Sequence, residues 1–181
     1  AICYQLYTSV YPGYILADEY TLLDKAGEVI SSYELSVSPE TFIKEVSRIK
    51  TGMTQVSSAL PGEAFQAYAA SLQGNKLLDF DDLLVKTIEL LEREDASSVL
   101  GERFSYLLVD EFQDISPLQY RLIQLWNRNG KELFVIGDPD QAIYGFRGAD
   151  ALCFQHLRED YPELTQIYLE ENYRSSGGIL S

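Results

Sequence analysis

Apolar positions along the 181 residues follow two patterns, and the change from one to the other comes near residue 104. In residues 1–103 they recur every three or four positions, the spacing that gives a helix one apolar face. Ile2, Leu6 and Val10 read as the end of a helix, and Pro12-Gly13 marks a turn. Asp18 is placed to cap a helix through Leu22, Leu23, Ala26 and Ile30, weakened by Gly27. A hairpin over 14–37, turning at Lys25-Ala26-Gly27, is the competing arrangement. Ser38 and Pro39 start a helix with Phe42, Val46 and Ile49 on one face and Gly52 at its end. Its Lys44, Arg48 and Lys50 are expected on a solvated face. Pro61 opens a helix carrying Phe65, Tyr68 and Leu72 and stopped by Gly74, and Asp79 caps one carrying Leu83, Leu84, Ile88 and Leu91.

Beyond residue 104 the apolar residues become consecutive. SYLLVD (105–110), ELFVIGD (132–138) and TQIYLE (165–170) are short unbroken runs, the pattern of strands covered on both faces in a parallel sheet. Helices alternate with them. Ser116-Pro117-Leu118-Gln119 forms a capping box ahead of Leu118, Leu122, Leu125 and Trp126, and Asp150 can cap a helix with Ala151, Leu152, Phe154 and Leu157. This alternation predicts an α/β fold with right-handed crossovers. All three runs then deliver polar clusters to one carboxyl edge: Asp110-Glu111, Asp138 to Arg147, and Asn172 to Arg174. Open α/β sheets bind their ligands at that edge.

Composition narrows the chemistry. With 28 acidic and 14 basic residues the net charge is -14, which repels nucleic acid at long range and leaves only local, partly non-electrostatic DNA contacts. No apolar run reaches membrane-spanning length, and no basic segment followed by an apolar one opens the chain, so neither anchor nor leader is expected. Cys3 and Cys153 stand far apart, the usage of reduced thiols in a cytoplasmic protein. His156 is the single histidine, so a histidine-based triad has only one route, and a surface helix position is the plainer assignment.

Asp110 and Glu111 are adjacent carboxylates whose mutual repulsion a cation or proton relieves. A magnesium-nucleotide site, with one carboxylate near the metal and the other activating water, competes with an ordinary acidic strand-to-helix turn.

Three strings in order decide between them. DEFQD (110–114), GDPDQAIYGFRGAD (137–150) and LEENYRS (169–175) resemble motifs II, III and IV of the UvrD/Rep/PcrA-type superfamily 1 DNA helicases. LDFDDLL (78–84) resembles the segment ahead of that family's DExx box. AICYQLY (1–7) resembles the helix after its motif Ia, and EVSRIKTG (45–52) its inserted 1B subdomain.

The resemblance implies a partial RecA-like P-loop NTPase sheet with a mainly helical insert. Residues 1–10 would end a helix of the motor domain, 11–103 would form the insert, and 104–181 would carry motifs II, III and IV. It implies ATP and magnesium as cofactors, with Asp110 on the metal and Glu111 beside it orienting and deprotonating water. Gln141 would sense the γ-phosphate and Arg174 would neutralise it. Tyr144 and Phe146 would stack on single-stranded bases, at ~1–3 kcal/mol per base, and Arg147 would touch the DNA backbone. Many relatives carry Trp where Phe146 stands, which implies weaker stacking.

Single-stranded and duplex DNA are the implied partners, together with repair or recombination proteins. No G-x-x-x-x-G-K-[ST] loop occurs in the chain. The expectation is therefore a piece of a longer helicase, inactive without its phosphate loop and second RecA-like domain. The motor part of a helicase-nuclease and a DNA-binding module with relic motifs remain as alternatives. A proofreading-type exonuclease is set aside, because Asp18 and Glu19 are adjacent where that chemistry needs Asp-x-Glu.

Overall fold

The computed structural model describes residues 2–52, 60–93, 105–128, 132–141, 152–171 and 173. Local signals set most element starts. Helix α1 (Ile2–Val10) leads to the two-residue strand β1 (Ile15–Leu16). Helix α2 (Glu19–Ser32) begins where the Asp18 carboxylate accepts the Thr21 amide, and it runs through Gly27, so the competing hairpin is not formed. Helix α3 (Pro39–Lys50) takes Ser38 as cap and Pro39 in its first turn. Helix α4 (Gly62–Gly74) passes one residue beyond its expected stop and ends at Asn75 and Lys76, where Lys76 adopts a positive φ of 53°.

Strand β2 (Leu77–Leu78) pairs parallel with β1 and runs into helix α5 (Phe80–Glu92), which opens on an Asp79–Asp82 capping box. Strand β3 (Tyr106–Val109), a 3-10 turn over Phe112–Asp114, helix α6 (Pro117–Trp126) and strand β4 (Glu132–Val135) follow. A second 3-10 turn spans Pro139–Gln141, and helix α7 (Cys153–Asp160) comes last. It starts at Leu152 without a side-chain cap, while Asp150 lies outside the described residues.

Burial sorts these elements into separate cores. Ala26, Val29, Phe42, Val46, Tyr68 and Leu72 pack α2, α3 and α4 on one another. Leu6, Ile88, Leu91, Leu122 and Leu125 join α1, α5 and α6. Phe112, Ile115, Tyr120, Ile123, Cys153 and Leu157 fill the space under β3 and β4. Helix α5 thus shares its core with α1 and α6, although its capping residues reach back to α3. Lys50, expected in solvent, instead lies 2.6 Å from Asp79 Oδ2 and 2.9 Å from Asp82 Oδ1, with only 7% of its side chain exposed. The capping carboxylates need a counter-charge once buried, and that need outweighs solvation of the lysine.

Two expectations about the sheet fail. Strands β3 and β4 are parallel, Tyr106 opposite Glu132 through Val109 opposite Val135, but covered on one face only. Leu107, Val109, Leu133 and Val135 face the core, whereas Leu108 is 70% exposed and Phe134 points to the same uncovered side. Both helices that pack on this pair lie on one face, and no described element covers the other. The expected third strand does not form either. Residues 163–171 have no regular structure, and Leu169 is 90% exposed. A strand requires a hydrogen-bonded neighbour, and an apolar run supplies none by itself.

Candidate functional site

The parallel register of β3 and β4 brings two loops together. The Ile136 amide donates to the Val109 carbonyl at 2.8 Å, and the Phe112 amide donates to the Ile136 carbonyl at 3.0 Å, which carries the ladder past both strand ends. Asp110-Glu111 and Gly137-Asp138 consequently leave the sheet side by side.

Glu111 turns the chain. Its backbone sits in the left-handed region at φ 52°, ψ 45°, and its amide donates to Asp110 Oδ1 at 2.9 Å. A non-glycine residue held there costs on the order of 1–3 kcal/mol, which surrounding contacts must offset. Part of that offset is the bond from Gln113 Nε2 to Glu111 Oε2 at 2.6 Å. Gln113 is buried, and its Oε1 accepts the Asp138 amide at 3.0 Å. The 138–141 turn is closed by Asp138, whose Oδ1 accepts the Asp140 amide at 3.0 Å and whose Oδ2 accepts Gln141 Nε2 at 2.6 Å.

Gly137 is small for a local reason. A Cβ there would stand 2.8 Å from Gln113 Oε1, 2.8 Å from Phe154 Cζ and 3.1 Å from the Phe112 nitrogen. Beneath the turn, Tyr120 donates to Asp160 Oδ2 at 2.6 Å, and burial together with that carboxylate pushes its hydroxyl above the ordinary phenol range. Cys153 Sγ lies 3.4 Å from the Phe112 carbonyl.

Of the residues singled out from sequence, Asp110, Glu111 and Gln141 are therefore neighbours on one edge. Tyr144, Phe146, Arg147 and Arg174 lie outside the described residues, as does Asn172. Gln113 and Gly137 were not anticipated as site residues. The sequence signal for Gln113 is its place inside the DEFQD string, between Phe112 and Asp114.

The donor set is compatible with magnesium. No group of three or more His, Cys, Asp or Glu is arranged to cage an ion among the described residues. Asp110 is exposed, with Oδ1 engaged by the Glu111 amide and Oδ2 unengaged among the described residues. Magnesium is commonly held by one or two carboxylates, its shell completed by phosphate oxygens and waters. Asp110 thus suits magnesium arriving with a nucleotide, and the described residues of this edge do not cage a metal by themselves.

The UvrD/REP helicase N-terminal domain pattern matches residues 15–162. The chain belongs to that family. The ATP-dependent DNA helicase PcrA of Staphylococcus epidermidis is 38% identical over 154 residues, covering 79% of this chain and 21% of that protein. PcrA of Staphylococcus aureus matches to the same extent, 38% over 154 residues. The chain spans about a fifth of the length of these curated relatives. No helix among the described residues is long and apolar enough to cross a membrane.

Proposed function

We propose that the full gene product is an ATP-dependent DNA helicase that couples ATP hydrolysis to movement along single-stranded DNA and to duplex unwinding. The observation that carries this reading is the shared edge of β3 and β4, where Asp110-Glu111 and Asp138-Gln141 stand together in a member of the UvrD/REP family.

In this reading β3 and β4 belong to a RecA-like sheet. Residues 11–103 would form the helical insert, with α5 packed on α1 and α6. Asp110 would hold the magnesium of Mg-ATP, which when bound offsets charge on the phosphates. Glu111 would orient the attacking water and accept its proton at the carboxylate. Gln141 spends one of its two amide N–H donors on Asp138 here, which leaves the second to meet a γ-phosphate. Arg174 would supply positive charge to the same phosphate, Tyr144 and Phe146 would stack on bases, and Arg147 would meet the DNA backbone. Stacking suits a strongly acidic chain, because it does not depend on net charge. Work in DNA repair, recombination or replication in the cytoplasm completes the proposal.

The test is ATPase activity of the full gene product with and without single-stranded DNA, beside Glu111→Gln. DNA-stimulated hydrolysis that Glu111→Gln reduces by at least about 10²-fold, as expected when the base is lost, supports the reading. A full-length protein that binds DNA yet never hydrolyses ATP refutes it and leaves a binding module with relic motifs.

A further inference from the structure

Among the described residues, Gln113 is the one buried polar side chain that touches both loops of the site. It is 2% exposed, and its two ends meet partners of opposite demand. The Asp138 amide can only donate and the Glu111 carboxylate can only accept, so the orientation of the Gln113 amide is fixed: Oε1 on Asp138 at 3.0 Å, Nε2 on Glu111 at 2.6 Å. Asp138 in turn accepts Gln141 Nε2 at 2.6 Å. An unbroken series of hydrogen bonds therefore runs from Glu111 through Gln113 and Asp138 to Gln141. The absence of a Cβ at Gly137 lets Gln113 lie this close, since that atom would stand 2.8 Å from Oε1.

We propose that Gln113 is a positioning residue that ties the Glu111 carboxylate to the 138–141 turn, so that movement of Gln141 and its turn reorients the water-activating carboxylate. This inference rests on the functional reading above. A phosphate contact from the second N–H of Gln141 pulls, through Asp138, on the turn, and Gln113 carries the shift to Glu111. A purely structural glutamine would hold the turn and leave Glu111 indifferent. The two roles separate by chemistry. Glutamate at 113 keeps an oxygen for the Asp138 amide but faces Glu111 with an acceptor instead of a donor. Methionine keeps the length and loses both bonds.

The experiment uses the full gene product in four forms: wild type, Gln113→Glu, Gln113→Met and Glu111→Gln. Each is first checked for a cooperative melt. Steady-state ATPase with single-stranded DNA, affinity for a fluorescent ATP analogue, and hydrogen–deuterium exchange of peptides over 134–141 without nucleotide are then measured.

A misplacement of about 1 Å at a reacting group costs on the order of 10² in rate. Both Gln113 variants are therefore expected to lose about 10- to 100-fold in kcat, with KM and analogue affinity within about threefold of wild type. Exchange over 134–141 rises in Gln113→Met and stays near wild type in Gln113→Glu. Wild-type kcat in Gln113→Met overturns the proposal. So does wild-type kcat in a folded Gln113→Glu, which confines Gln113 to holding the turn, and so does a loss seen only in KM and affinity. Should Gln113→Glu fail to fold, Gln113→Met decides alone through the split between kcat and KM. An active Glu111→Gln refutes the role given to Glu111 itself. An inactive Glu111→Gln beside a fully active Gln113→Met refutes only the positioning role.

Discussion

Removing the charge of Lys50 tests whether α3 and α5 are held together by ions or by apolar packing. Lys50 sits at the end of α3 and meets Asp79 and Asp82 at the start of α5, at 2.6 and 2.9 Å. Its side chain is 7% exposed and each carboxylate 11%, so water can do little to replace it. Lys50→Met keeps the aliphatic stem and leaves two carboxylates at a buried helix start. Breaking a buried pair from one side costs about 3–5 kcal/mol. Here the capping box lowers that cost, because the Asp82 amide donates to Asp79 at 2.7 Å and the Asp79 amide to Asp82 at 3.4 Å. The lower end, about 3 kcal/mol, is the appropriate figure.

Loss of 3 kcal/mol of local stability speeds amide exchange about 10²-fold, at ~1.4 kcal/mol per factor of ten. Native-state exchange of α3 and α5 peptides in the full-length protein reads this directly. The control is Lys25→Met, which removes the solvent-screened pair with Glu28 and is expected to change exchange far less. If Lys50→Met and Lys25→Met change exchange equally little, the buried ion cluster does not hold the two helices.

Two further perturbations bear on the same structure. Gly137→Ala pushes a methyl against Gln113, Phe154 and the Phe112 backbone; overpacking of about 1–3 kcal/mol exceeds the ~0.4–1 kcal/mol gained from a stiffer unfolded chain. The expected result is a lower melting temperature together with reduced ATPase. Asp81 has its pKa raised, first by burial, against a hydrogen bond from Ser47 that lowers it. A carboxyl raised in the folded state favours folding when protonated, and that contribution fades as pH climbs through the folded value. Asp81→Asn is accordingly expected to stabilise the protein at pH 7, with the advantage shrinking as pH falls below the carboxylate range. A melt series from pH 3 to 7 checks the sign.

Most helix starts were legible from short-range features. Asp18, Ser38, Asp79 and Ser116 each cap the helix expected of them, because a cap bonds an amide three residues away and needs nothing distant. Strands β3 and β4 were legible as runs, and their shared edge followed from alternation with helices. Asp110, Glu111 and Gln141 could be named because motif strings mark them.

What the sequence could not decide were the contacts made across distance. Lys50 and Asp79 are 29 positions apart, and Gln113 and Asp138 are 25 apart. No periodicity links such pairs; only packing sets which charge is buried and which amide meets which turn. The exposure of Leu108 and Phe134 and the missing strand at 165–170 have the same origin. Apolar runs state what a segment is able to pair with or bury, whereas pairing and burial themselves depend on neighbours that only the tertiary structure provides.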